Sequence, residues 1–295
     1  MDGRIPLIYD CDNTMGVPDC DVDDGLTLLY LLGTPGIRLL AVTCSFGNST
    51  QERVFRNTVR LLRELGREDI LVLRGAVNPL HRRSPAAEFL ADAARRYPDS
   101  LAVLATGSLS NLLGAEGYDP EFFSRVGRIS LMGGVTGPLT VGGIPMAELN
   151  FSVDAEAACA VLTRGRRVLV ATAQNCLASF FAQEEYLGQL ACNRAPLARY
   201  LEEVLTDWFA LNRERWGLSG FVNWDVMAAA QLLRPDLFEL HRAEISPTVQ
   251  SLKKGMLYGG GAPCHITLPQ IRDRATYLHH VYQTILSAQV RLADQ

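Results

Sequence analysis

The chain has 295 residues, 48% of them hydrophobic and 20% charged, which is enough to bury a sizeable core in one large α/β domain or two smaller ones. A formal net charge of −4 leaves no polyanion footprint and argues against a nucleic-acid partner. No apolar run approaches a membrane span, the N-terminus lacks the basic and apolar segments of a signal peptide, and the seven cysteines form no C-x-x-C pair, so a cytoplasmic protein with reduced thiols and no membrane contact is expected.

Short β-rich runs alternate with stretches of helical period. In chain order the pattern predicts a strand over 5–9, a helix over 24–32, a strand over 38–43, a helix over 51–65, a strand over 70–73 and a helix over 86–96. Strands over 101–104 and 128–131, a helix over 155–164 and a strand over 167–171 follow. Beyond Glu185 the pattern is mainly helical, with helices over 195–215, 224–233 and 274–292. Strands that read as continuous apolar runs suit a sheet covered on both faces. The expected fold is therefore α/β, an open and mostly parallel β-sheet with helices on both faces, as a single domain over 1–295.

Ligands of such a sheet bind beyond the carboxyl ends of its strands, and the loops there hold most of the unusual polar residues. Leu7 to Gly25, LIYDCDNTMGVPDCDVDDG, contains six aspartates. Clustered carboxylates repel one another unless a cation or protons compensate, and an all-oxygen set suits a hard divalent ion. A solvated acidic turn is the plain alternative, but this cluster follows the first strand and opens a helix at Asp23-Asp24.

The left half of the loop, Asp10-Cys11-Asp12-Asn13-Thr14, resembles the nucleophile loop of haloacid-dehalogenase-type phosphatases, which implies Asp10 as nucleophile and Asp12 as acid/base. That family also needs a later Ser or Thr, met by Thr106 or Ser108, and then a lysine followed by a pair of acidic metal ligands. After Lys253 and Lys254, the only lysines, just Asp273 and Asp294 remain. The order of parts fails.

A second resemblance runs through nearly the whole chain. Ile8-Tyr9-Asp10-Cys11-Asp12 and Asp23-Asp24-Gly25 are similar to the two halves of the aspartate motif of the inosine-uridine nucleoside hydrolase family, separated here by an insertion over most of 13–22. LLAVTCSFGNST, LATGSLSN, SLMGG, AELNFSVDAEAA and NWDVMAAA resemble five further segments of that family in the same order. The resemblance implies calcium bound by Asp10, Asp12, Asp24, Asp225 and the Thr106 carbonyl, and Asp12 as the general base acting on a water. It implies ribose and base contacts from Asp23, Asn48, Met132, Glu148, Asn150, Trp224 and Asp225, a small-molecule nucleoside as substrate, and a homodimer or homotetramer. Each residue also has an ordinary use: Asn48 as a helix cap, Met132 in the core, Glu148 on the surface, Asp225 as an N-cap.

Three departures from the family pattern narrow the reading. The insertion adds Asp19 and Asp21, either of which could join the metal site. Trp224 stands where family members that activate purine leaving groups carry a histidine. The segment before Ala86 is too short for the family's lid, and Gly142-Gly143-Ile144-Pro145 replaces an expected asparagine, so a modified nucleoside or a 5′-monophosphate is admitted, with His81, Arg82 and Arg83 as candidate phosphate contacts. Tyr258 and Gly259-Gly260-Gly261 are expected near the base pocket on glycine content alone. A nucleoside-binding protein without turnover is the remaining alternative.

Overall fold

The computed structural model describes residues 3–193 and 195–292; the rest of the expected domain lies outside the described residues. The first half alternates strand and helix: β1 (Ile5–Cys11), α1 (Asp23–Gly33), β2 (Ile37–Cys44), α2 (Gln51–Glu64), β3 (Val72–Arg74), α3 (Pro85–Arg96), β4 (Ala102–Ala105), α4 (Ser110–Glu116), α5 (Phe122–Arg125) and β5 (Arg128–Met132). A small hairpin, β6 (Thr140–Val141) and β7 (Ile144–Pro145), precedes α6 (Ala155–Arg164), β8 (Val168–Ala171) and α7 (Ala173–Cys176). The second half holds β9 (Phe180–Ala182), α8 (Gln183–Ala191), α9 (Pro196–Trp216), β10 (Gly220–Val222), α10 (Trp224–Leu233), β11 (Phe238–Ile245), α11 (Val249–Leu252), β12 (Cys264–Ile271) and α12 (Arg274–Leu286).

Eight strands form the main sheet in the order β11-β12-β8-β5-β4-β1-β2-β3. All neighbours pair parallel except β11 with β12. The chain builds outward from β1 to β2 and β3, then restarts on the other side with β4, β5 and β8. This reversal puts the topological switch point between β1 and β4, where diverging loops leave a crevice.

Alternation along the strands feeds two cores. Leu7, Tyr9, Ala102 and Leu104 pack into one cluster with residues of α1, α9, α10 and α12. Ile8, Val103 and Ala105 pack into the other with residues of α3, α4 and α6. Both faces of the central strands are thus covered, as their apolar runs require, and each fully buried Leu or Ile contributes about 1.5–3 kcal/mol by removal from water.

Local chemistry fixes the helix starts. Ser84 caps α3, accepting from the Ala87 amide at 3.2 Å, and Pro85 follows in the first turn, where its missing N–H is harmless. Thr50, not Asn48, caps α2 by accepting from the Arg53 amide, which leaves Asn48 free for the site. Gly142 and Gly143 (φ +57° and +80°) form the two-residue turn of the β6–β7 hairpin, which needs left-handed backbone at both positions.

Two regions differ from the sequence expectation. The predicted mainly helical second half contains the antiparallel pair β11–β12 at the sheet edge; β11 is exposed at four successive positions, Glu239 to Arg242, and His241-Arg242 break its apolar alternation into two short pieces. The closing helix ends at Leu286 rather than 292.

Candidate active site

The loops after β1 and β4 meet at the switch point, and the six aspartates separate into layers there. Asp10 stands furthest back. Its Oδ2 accepts from Thr43 Oγ1 at 2.5 Å and Asn111 Nδ2 at 2.7 Å, while Oδ1 is buried with no hydrogen-bond partner among the described residues. Burial pushes its carboxyl up to about 7, against the two hydrogen bonds, which favour the charged form.

Asp12 follows β1 and is fully buried. Its Oδ2 accepts from the Asn48 amide at 2.6 Å and its Oδ1 from Asn48 Nδ2 at 3.3 Å, which ties the aspartate loop to the loop after β2. Two glycines make room for it. A Cβ on Gly47 would lie 1.9 Å from Asp12 Oδ2, and one on Gly107 would lie 3.1 Å from its carboxyl carbon. Neither loop tolerates a side chain at that approach.

Asp24 is the hub. Thr106 Oγ1 donates to its Oδ1 at 2.7 Å and Tyr9 Oη at 3.2 Å, and the carboxyls of Asp12 and Asp225 lie within hydrogen-bonding reach. Its Oδ2 is buried and meets no donor. Oxygen atoms of Asp23, Asp24 and Asp225 lie within 4.8 Å of one another, all three residues buried. Burial first, and repulsion by neighbouring carboxylates second, hold Asp12, Asp23 and Asp225 well above the usual carboxylate range. An oxygen-only donor set with an orphaned carboxylate oxygen, and with repulsion that hydrogen bonds from Asn48, Thr106 and Tyr9 offset only in part, fits a hard divalent cation.

Thr106 contributes twice. Its hydroxyl bonds Asp24, and its carbonyl accepts from Asn150 Nδ2 at 2.9 Å. That amide also reaches the Met132 carbonyl at 3.1 Å and sulfur at 3.2 Å, joining the ends of β4 and β5. Glu148 is occupied with structure: Oε1 accepts from the amides of Gly134 and Phe151 at 3.1 and 2.8 Å, and Oε2 from Ser152 at 3.0 Å. Asp225 lies in the first turn of α10 rather than at its cap.

In front of the carboxylates opens a cavity of about 290 Å³. Its polar end is walled by Asp23, Asn48, Thr106, Glu148, Asn150 and Asp225, with Asp21 from the insertion. Its apolar end is walled by Trp208, Asn212 and Trp216 of α9, by Trp224, and by Leu139, Val141 and Met146 around the hairpin. The Trp208 and Trp216 rings meet edge to face, 6.5 Å between centroids. A Cβ on Gly142 would sit 2.0 Å from the Trp216 carbonyl, so the bare hairpin tip is what lets it close on the end of α9.

A cavity of this size with polar and aromatic walls, set beside buried carboxylates at a switch point, suits a small molecule. The sequence profile of the inosine-uridine preferring nucleoside hydrolases matches residues 7–279. The chain belongs to that family.

The hydrolase is 29% identical over 263 residues to the pyrimidine-specific ribonucleoside hydrolase RihA of Salmonella newport (strain SL254), covering 79% of this chain and 81% of the relative. Its fold is similar to that of the plant nucleoside hydrolase PpNRh1 (TM-score 0.82, 20% identity, 96% and 99% of the two chains covered). It is also similar to the purine-preferring ribonucleoside hydrolase from Gardnerella vaginalis (TM-score 0.78, 21% identity, 96% and 99% covered). The expected α/β fold with its mostly parallel sheet is the fold of these enzymes.

The phosphatase reading of Asp10 and Asp12 is overturned by the family match, and neither lysine reaches the cavity wall. Asp19 is exposed with φ +60°, at the tip of the insertion, whereas Asp21 reaches the wall. Arg82 is not available to a phosphate: Nε and Nη2 grip both oxygens of buried Asp154 at 2.8 and 2.7 Å. Tyr258 is exposed and Gly259 bonds the Ser246 carbonyl at 2.8 Å, so the expectation that this glycine run lies near the base pocket is corrected. The sequence reading missed Thr43 and Asn111 behind Asp10, Tyr9 behind Asp24, and Trp208, Asn212 and Trp216. The four-residue spacing of that last trio, which runs to one residue past the helix expected over 195–215, was the available signal.

Proposed function

We propose that the enzyme hydrolyses the N-ribosidic bond of a ribonucleoside lying with its ribose against the carboxylates and its base between the tryptophans. Asp12 is the general base in this reading. The observation that carries it is a buried carboxylate held on both oxygens by Asn48, which lines the cavity, and set beside Asp24. Asp12 is thereby aimed and kept from rotating, and it takes the proton of the attacking water.

Asp24, Asp225, Asp12 and the Thr106 carbonyl would hold the divalent cation, with Oδ1 of Asp10 a further open oxygen; Asp24 and Asp225 belong to the close carboxylate group and Asp12 lies beside Asp24. When bound, that ion, calcium in this reading, lowers the pKa of a water and offsets the carboxylate charge. Asp23, Asn48 and Asn150 orient the ribose hydroxyls from the wall. A missing hydroxyl would leave these groups unpaired, so deoxyribosides are discriminated against. Met132 and Glu148 shape the same end. Trp224, Trp208 and Trp216 receive the base by stacking.

Among the described residues the wall carries no lysine, arginine or histidine, which favours a nucleoside over its 5′-monophosphate. Seven free thiols support a reducing, cytoplasmic compartment. No helix is long and apolar enough to cross a membrane. Assembly into a homodimer or homotetramer belongs to the same reading and rests on the family resemblance.

The test is release of free ribose from a panel of nucleosides and nucleoside 5′-monophosphates, with calcium and with chelator. Calcium-dependent ribose release supports the proposal. Phosphate released from the monophosphates, without ribose from any compound, overturns it.

A further inference from the structure

Asp12 and the Asp23-Asp24 pair stand at opposite ends of one irregular segment, residues 13–22. Its tip is at the surface, with Gly16, Pro18 and Asp19 exposed and with left-handed backbone at Gly16 (φ +79°) and Asp19 (φ +60°). Within the segment, the Val17 amide donates to the Thr14 carbonyl at 2.9 Å and Thr14 Oγ1 to the Asp21 carbonyl at 3.0 Å. These bonds close the loop on itself but tie it to nothing else. The carboxylates at its two ends repel each other, which acts to spread them.

The buried side of the segment is held by α2. Asn57 Nδ2 donates to the carbonyls of Asn13 and Met15, each at 3.2 Å, and Arg60 Nη2 donates to the Met15 carbonyl at 2.8 Å. Asn57 Oδ1 accepts from Arg60 Nε and Nη2 at 3.2 and 2.8 Å, so neither side chain turns away without breaking bonds of the other. Arg60 Nη1 donates to Glu64 Oε1 at 2.6 Å, and the Tyr200 hydroxyl of α9 donates to Glu64 Oε2 at 3.1 Å. Spacings of three and four residues put Asn57, Arg60 and Glu64 on one face of the helix.

Both points of attachment lead to the carboxylates. Asn13 directly follows Asp12, and its Oδ1 accepts from the Met15 amide at 3.0 Å. Met15 is fully buried, and its side chain lies on Gly25, the residue after Asp24; a Cβ there would sit 2.2 Å from Met15 Sδ. The Met15 carbonyl is therefore gripped by α2 while its side chain presses on the first turn of α1. Neither Asn57 nor Arg60 belongs to the cavity wall.

We infer that Asn57 and Arg60 are positioning residues of the reaction, holding Asp12 and Asp24 together for one cation by way of Asn13 and Met15. This rests on the hydrolase reading above and adds to it two residues that the substrate never touches. Without the clamp the carboxylates relax apart, and bringing them together again falls to the cation at the expense of affinity. A general base displaced by a fraction of its contact distance also loses rate.

The experiment compares Asn57→Ala and Arg60→Ala with wild type and with Arg63→Ala, a control on the same helix whose side chain is exposed and pairs with Glu68. Calcium affinity is read by calorimetry on folded protein, well below each melting temperature. It should weaken by about 10–100-fold in the first two variants, the range for groups that support metal ligands from behind, and stay constant in the control. At saturating calcium kcat should fall by roughly tenfold or more, with KM moving less. Arg60→Ala deletes a positive charge, so direct electrostatics would tighten calcium binding where the clamp requires it to weaken. Tyr200→Phe cuts only the outermost link and should shift affinity in the same direction by less, which keeps a folded variant in the series.

A second readout needs neither calcium nor substrate: in chelator, hydrogen exchange over residues 13–22 should quicken in both alanine variants while the central strands keep their protection. Wild-type affinity and exchange in folded Asn57→Ala, or tighter calcium in Arg60→Ala, overturns the inference. A lower melting temperature with calcium affinity and kcat unchanged makes the contacts a matter of stability alone and overturns it equally. No ribose from wild type on any nucleoside removes the hydrolase reading instead, an outcome kept separate because affinity and exchange are measured without substrate.

Discussion

The two ends of the cavity are built in opposite ways. The carboxylate end is assembled from strand ends: β1 delivers Asp10 and Asp12, β4 delivers Thr106, and the start of α1 delivers Asp23 and Asp24, all at one switch point. Its side chains are locked by hydrogen bonds, with Asp10, Asp12, Asp24, Asn150 and Glu148 each held by at least one donor or acceptor. The tryptophan end comes from a long helix, a two-strand hairpin and the start of α10, held by apolar packing and one close glycine contact. Strand ends in a parallel sheet are fixed to a fraction of a residue by register, whereas helix faces tolerate repacking. In the function proposed above, chemistry that cannot shift sits on the first kind of support, and selection of the base sits on the second.

Asp12→Asn is the largest break available on the rigid end. It keeps the shape and one of the two Asn48 contacts but removes the base and one charged cation ligand, so kcat at saturating calcium should fall by about 10²–10⁴ while circular dichroism changes little. An unchanged kcat would move the general base elsewhere.

One step back, Asn111→Ala removes a donor from Asp10 without touching the cavity wall. Groups behind a metal site commonly tune affinity by 10–100-fold, and a calcium titration should show a loss of about that size at unchanged turnover of the loaded enzyme. A titration identical to wild type would mean that Asp10 does not communicate with the cation.

At the compliant end, Trp216→Ala should raise KM by roughly tenfold, within the range of one lost base–aromatic stack, and leave kcat for substrates that still bind nearly unchanged. A drop in kcat with constant KM would place the tryptophan in the chemical step and erase the contrast between the two ends.

The last effect is on stability rather than activity. The Asp10 carboxyl is raised from its ordinary 3.8 to about 7, so between those values the folded protein holds a proton that the unfolded chain releases. Stability from this group is complete below about pH 4 and lost as pH rises toward 7. Chelated protein should therefore lose roughly 2–3 kcal/mol of stability between pH 5 and pH 8, read as a fall in melting temperature of several degrees. Added calcium should flatten that slope; a melting curve with the opposite slope would contradict it.

Much of the first end was legible in the sequence because strand-end loops carry spaced polar motifs. Asp12, Asp23, Asp24, Thr106, Asn150 and Asp225 fall in segments whose order survives without any structure, and the structure brings them to one place. Asp10 looked equivalent to Asp12 by spacing; only the fold reveals that Thr43 and Asn111 occupy it from behind. The antiparallel edge was hidden because His241-Arg242 interrupt the apolar alternation of β11, leaving two pieces too short to read as a strand. The hairpin was hidden because two-residue strands carry too little pattern to register, although Gly142-Gly143 was its one chemical mark. Trp208 and Trp216 are separated from Trp224 by β10 and a turn, and nothing in local periodicity says that they share a wall.

Tryptophan supplies most of the near-ultraviolet signal of a protein, and here all three indoles face one cavity. The indole fluorescence of the whole chain is thus the fluorescence of this one cavity. Entry and departure of a ligand can be followed on the unlabelled enzyme in real time, with no background from distant indoles to subtract.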